Sequence, residues 1–185
     1  MENDHLCRKH YNGYYWLTVG LFLCSVFIEA AEPPELSLKD RQGVAHSLSD
    51  YRGKIVVLNF WATWCIPCKE EMPIFGDVDQ RYRRQGVIVL AASVDDQKTK
   101  KYINQFARSY KMSFPILVDA ATDDMKRVGL GELVPSTLFL DKDGTVAGKI
   151  FGQAPRKEVF RRVDWLLGDR QGQAPELVLD TSKKR

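Results

Sequence analysis

The sequence predicts an α/β fold with a mixed central sheet flanked by helices. Three observations lead there. The runs Ile55–Trp61 and Val87–Val94 are almost continuously apolar and rich in β-branched residues, the signature of strands buried on both faces of a parallel sheet. Helix-period segments alternate with these runs, as crossover connections require. Asp143-Gly144, between Ser136–Asp141 and Val146–Phe151, is a hairpin turn that adds antiparallel strands at the edge.

Each element has its own warrant. Residues 32–35, Glu-Pro-Pro-Glu, form a stiff linker. Leu36–Lys39 and Val44–Leu48 flank Asp40-Arg41-Gln42-Gly43, whose turn chemistry predicts an N-terminal β-hairpin. Cys65 to Gln85 reads as a helix, because Cys68, Met72, Phe75, Val78 and Tyr82 recur every three or four residues along one stripe. Gln97–Tyr110 is a second helix, with Ile103, Phe106, Ala107 and Tyr110 on one face. Ile116–Asp119 is a short strand and Asp123–Val128 a short helix. Arg156–Leu167 is the last helix. Asp95-Asp96 and Asp123-Asp124 read as helix caps. Residues 169–185 are polar and read as a disordered tail.

Length and charge narrow the function classes. A chain of 185 residues with net charge +3 holds one domain with a real core, and its charge implies no nucleic-acid partner. Residues 1–31 read as targeting. Arg8 and Lys9 precede an apolar stretch of 15 residues, Tyr14–Ile28, and Glu29, Glu32 and Glu35 follow it. Positive before and acidic after sends the body across the membrane. The stretch is short of the ~20 residues of a spanning helix, so a cleaved signal peptide and a short uncleaved anchor both stand. Either places residues 32–168, the folded domain, in the periplasm or on the extracytoplasmic face of the cytoplasmic membrane.

The chemistry lies in Asn59-Phe60-Trp61-Ala62-Thr63-Trp64-Cys65-Ile66-Pro67-Cys68. A buried strand ends, a short loop follows, and a helix starts at the first cysteine. Unpaired N–H groups and about half a positive charge at a helix N-terminus stabilise a thiolate, so Cys65 is expected to ionise below the ~8.5 of free cysteine. The spacing puts Cys68 within disulfide range, on the apolar stripe and more deeply buried. Cys65 is therefore read as the attacking sulfur and Cys68 as the resolving one. Pro67 stiffens the first helical turn without losing a helical hydrogen bond, and Trp64 is a wall of the site. A structural zinc would need two further ligands; Cys7 and Cys24 are N-terminal and His46 stands alone. No cationic residue separates the cysteines, which favours a reductant over an oxidant.

Extended to Lys69-Glu70-Glu71-Met72-Pro73, this string resembles the TlpA/ResA-like thiol–disulfide oxidoreductases of the thioredoxin superfamily. The resemblance spans residues 36–168. It implies a thioredoxin-like fold with an inserted helix and strand, matched by residues 97–119. It also implies an extracytoplasmic protein that exchanges disulfides with protein substrates, in some members during cytochrome c maturation. Electrons would come from a membrane thiol–disulfide donor, and the redox-active disulfide Cys65–Cys68 would serve without metal or organic cofactor. Pro135 matches the family's cis-proline opposite the disulfide, and Val134 before it the residue that pairs with substrate backbone; from the sequence alone Pro135 could equally be a trans proline opening an edge strand. Glu71 matches an acidic residue near the active site, against the alternative of a solvated helix glutamate. Asn59 stands where cytoplasmic thioredoxins carry a buried aspartate, which leaves Glu71 as the proton acceptor, or Asn59 as a structural residue bonded in the core.

Two other function classes share the fold. One is a non-catalytic peptide-binding module with a permanently oxidised pair. The other is a thiol peroxidase, which places a threonine three residues before its reactive cysteine, where this chain has Ala62.

Overall fold

A computed structural model describes residues 34–168, 170 and 172–182. The targeting segment read at residues 1–31 lies outside the described residues. In chain order the elements are β1 (Ser37–Asp40), β2 (Ala45–Ser47), β3 (Ile55–Trp61), α1 (Ile66–Tyr82), β4 (Val87–Ser93), α2 (Ile103–Ser109), β5 (Ile116–Val118), α3 (Thr122–Arg127), β6 (Ser136–Leu140), β7 (Val146–Phe151), α4 (Arg156–Leu167) and β8 (Val178–Asp180). They build an eight-stranded sheet in the order β2-β1-β5-β4-β3-β6-β7-β8. Strands β3, β4 and β5 are parallel, β6 pairs antiparallel with β3, and β7 antiparallel with β6. The N-terminal hairpin docks antiparallel on β5. This is a thioredoxin-like fold.

The period of two along β3 explains the core. Ile55, Val57 and Trp61 point to the face covered by α1, α2 and α4. Val56, Leu58 and Phe60 point to the other face, against Leu36, Leu48, Met125, Val128 and Leu130. All seven β3 residues are buried, each large apolar one stabilising by roughly 1.5–3 kcal/mol. Asn59 falls in the row facing α1, and this register brings it to the active site.

Three expectations are corrected. The helix read from Gln97 begins as α2 at Ile103, behind a 3-10 turn at Lys100–Tyr102. The Asp96 carboxylate accepts the N–H groups of Lys98 and Thr99, both at 2.9 Å, a local alternative to helical bonds. Asp95 caps no helix: its buried carboxylate accepts bonds from Thr63 and Ser93. The tail read as disordered contributes β8, which pairs in parallel with Lys149–Phe151 of β7. The outer edge of β7 carries backbone groups that need partners, and the tail supplies them: Lys149 N–H donates to the Leu177 carbonyl at 2.7 Å and Thr181 N–H to the Phe151 carbonyl at 2.8 Å.

Candidate active site

The loop from β3 to α1 is braced from β4. Thr63 donates its N–H to Asp95 Oδ2 at 2.9 Å and its hydroxyl to Asp95 Oδ1 at 2.6 Å. Ser93 holds the same carboxylate through its hydroxyl at 2.7 Å. The register Trp61↔Ser93 in the parallel pair sets the two loops side by side. Cys65 follows as the N-cap of α1 in extended conformation, and its Sγ accepts the Cys68 N–H at 3.3 Å. In the reduced protein that N–H and the helix N-terminus stabilise a Cys65 thiolate. Cys65 and Cys68 form a disulfide with Cα atoms 5.3 Å apart. Cys65 retains 5% exposure and Cys68 none, so the outer sulfur is Cys65. Pro67 occupies the first turn of α1, where no helical donor is lost.

Beneath the cysteines, α1 buries a carboxylate. Glu71 follows Cys68 by three residues, one turn on along the same face, and is fully buried. Its Oε1 accepts Asn59 Nδ2 at 2.7 Å, and its Oε2 accepts the Ala154 N–H at 2.7 Å. Asn59 also donates to Thr137 Oγ1 at 3.2 Å, its partner across the β3–β6 pair. Both bonds to Glu71 favour its ionised form. Burial opposes them and wins, pushing the Glu71 carboxyl up to about 8. A carboxyl poised there exchanges protons efficiently near neutral pH. Asn59 is thus a core hydrogen-bonding residue and the donor to Glu71 at once.

Two grooves flank the first turn of α1. One, of about 550 Å³, is lined by Pro67, Val134, Pro135, Gln153, Ala154 and Thr181, among others. The Val134–Pro135 peptide is cis, and the Pro135 carbonyl accepts the Gly152 N–H at 2.9 Å. The other groove, of about 450 Å³, is aromatic, lined by Trp64, Tyr102, Phe106 and Tyr110 with Lys69. Trp64 is 58% exposed, a solvent-facing wall beside the disulfide.

A family model described as the AhpC/TSA family matches residues 30–149. The chain belongs to the AhpC/TSA family. It is similar to the thiol-disulfide oxidoreductase ResA of Geobacillus thermodenitrificans, 37% identical over 131 residues, 71% of this chain and 74% of the relative. It is similar also to the thioredoxin-like protein YneN of Bacillus subtilis, 34% identical over 139 residues, 74% of this chain and 79% of that one. A solved thiol:disulfide interchange protein of the thioredoxin family from Chlorobium tepidum superposes with a TM-score of 0.65 at 24% identity, covering 75% of this chain and 97% of its own. That last likeness speaks for the fold. This AhpC/TSA member is a ResA-like thiol–disulfide oxidoreductase with a redox disulfide at Cys65–Cys68.

Within this family member, Cys65, Cys68 and Glu71 share the N-terminal half of α1, and Pro67, Val134 and Pro135 share one groove. Trp64 lines the groove on the other side of the helix turn. Three contributors escaped the sequence reading. Asp95 braces the loop from 32 residues away. Ala154 acts through its backbone, which no side-chain pattern reveals. Thr181 lies in the segment read as a disordered tail.

Proposed function

We propose that this oxidoreductase reduces protein disulfides outside the cytoplasmic membrane, fed by a membrane thiol–disulfide donor. The observation that carries the direction is the setting of the pair: Ile66-Pro67 between the sulfurs and the Glu71 carboxyl one turn from Cys68. A cation there would stabilise thiolate and so the reduced protein. An acid opposes a build-up of thiolate charge, so the dithiol gives its electrons away.

In the forward reaction the Cys65 thiolate attacks a substrate disulfide. One substrate sulfur leaves as thiolate and a Cys65–substrate disulfide forms. Glu71 takes the Cys68 proton, and the Cys68 thiolate attacks Cys65 Sγ. The second substrate thiolate leaves and the Cys65–Cys68 disulfide closes: two electrons pass to the substrate, and the pair is oxidised. Val134 and Pro135 present the wall along which the substrate strand lies, Pro67 borders it, and Trp64 contacts the substrate from the opposite side. The pair is the whole redox couple, so this reading calls for no metal or organic cofactor. The resemblance supports cytochrome c maturation as the setting.

The reduction potential tests the direction. A value near that of thioredoxin, ~−270 mV, is expected; one near ~−120 mV makes the protein an oxidant and overturns the reading. Location has its own test. The charge order around Tyr14–Ile28 supports an extracytoplasmic body, so alkaline phosphatase fused after Arg185 is expected to be active. A stable but inactive fusion places the domain in the cytoplasm.

A further inference from the structure

The segment after α4 reaches the active site. Beyond β8, Thr181 donates its N–H to the Phe151 carbonyl at 2.8 Å, and its hydroxyl lies 2.9 Å from the carbonyls of both Phe151 and Gln153. A hydroxyl has one proton to give. Shared between these two carbonyls, the hydroxyl adds to the N–H bond to Phe151 and ties the tail to both sides of the turn. Between those carbonyls lies Gly152 at φ +84°, where a Cβ would sit 2.7 Å from Thr181 Oγ1 and 2.8 Å from Ser182 N. The tail presses on this turn so closely that only glycine fits.

The same turn touches both halves of the site. Gly152 N–H donates to the Pro135 carbonyl at 2.9 Å. Ala154 N–H donates to Glu71 Oε2 at 2.7 Å. Thr181 and Ser182 also line the groove that holds Pro67, Val134 and Pro135. The family model ends at residue 149, before the turn and the tail that clamps it.

We propose that Thr181 is a positioning residue of the active site: by holding the Gly152–Ala154 turn, it sets the Ala154 N–H on the Glu71 carboxylate and the tail-side wall of the substrate groove. This rests on the roles given above to Glu71 and to that groove. The groups meeting Glu71 from other elements are uncharged: Asn59 of β3 and the Ala154 N–H of the turn. The charged residues nearest it in the chain are Lys69 and Glu70 on α1, Glu70 accepting a bond from Gln153 at 3.0 Å, and the Arg156–Asp77 pair links α4 to α1.

Three full-length proteins test it: wild type, Thr181→Val, which keeps shape without the hydroxyl, and Thr181→Ser, which keeps the hydroxyl. Carbon-13 NMR follows the Glu71 carboxyl through a pH titration of the oxidised protein, where neither cysteine titrates; the resonance is assigned by its loss in Glu71→Gln. Weakening the Ala154 bond removes support for the carboxylate, so Thr181→Val is expected to titrate higher by roughly half a unit. It is also expected to raise KM for a disulfide-bonded peptide, while Thr181→Ser matches wild type in both. A Thr181→Val protein that titrates as wild type, or merely unfolds at lower urea without that shift, overturns the proposal. So does a Thr181→Ser protein that behaves like Thr181→Val. Glu71's part in catalysis is judged separately, by the rate of Glu71→Gln, and the NMR titration reads the positioning whichever way that falls.

Discussion

Cys68→Ser is expected to leave Cys65 covalently joined to its substrate. Cys65 caps α1, keeps some exposure, and holds the Cys68 N–H on its sulfur, so it reaches a substrate disulfide and attacks as thiolate. Cys68 has no exposed surface and is bonded to the Cys65 sulfur. Serine cannot displace the substrate, so the mixed disulfide accumulates. Cys65→Ser is expected to trap little, because the remaining thiol is covered. A non-reducing gel shows the adduct as a larger band that reductant removes, and mass spectrometry of the band names the substrate. Equal trapping by the two variants, or more by Cys65→Ser, reverses the roles.

Glu71→Gln is expected to slow the resolving step by about 10²-fold, the lower end of what a positioned general base contributes. The carboxylate is the active base, so the wild-type resolving rate should climb with pH and level off above the Glu71 value of about 8. Glutamine removes that inflection. Stopped-flow release of a fluorescent thiol from the mixed disulfide measures both; coincident wild-type and variant profiles across pH 5–9 return Glu71 to a purely structural place. The same group links pH to stability. Its folded pKa is raised above the ~4.3 of an unfolded glutamate. Between these values the folded protein keeps a proton that the unfolded chain has lost, so stability is fullest below about 4.3 and drains as pH rises through about 8. Urea midpoints at pH 5, 7 and 9 should fall more steeply for wild type than for Glu71→Gln.

The fold was legible where one local signal decided the element. The apolar run Ile55–Trp61 and the helix Arg156–Leu167 stand where periodicity put them, because burial and pattern agree there. The reactive pair was legible because a strand, a short loop and a helix start coincide at Cys65. Illegible were contacts that exist only after the chain closes on itself. Asp95 looks like a cap beside Asp96, and only the parallel register of β3 and β4 turns it toward Thr63. Strand β8 has three residues, too few to show alternation, and it forms because β7 offers it an edge. Glu71 reads as one of two adjacent glutamates; the face of α1 that packs on the sheet buries it and leaves Glu70 outside.

Strand β8 also covers part of the outer edge of β7. Strand β7 lies next to last in the sheet, and without the tail its Lys149–Phe151 stretch would offer an open row of N–H and C=O groups to any other chain. Open rows of this kind seed association between molecules. A chain stopped after Leu167 therefore loses more than a loose end. Its monomers gain a bare rim at Lys149–Phe151.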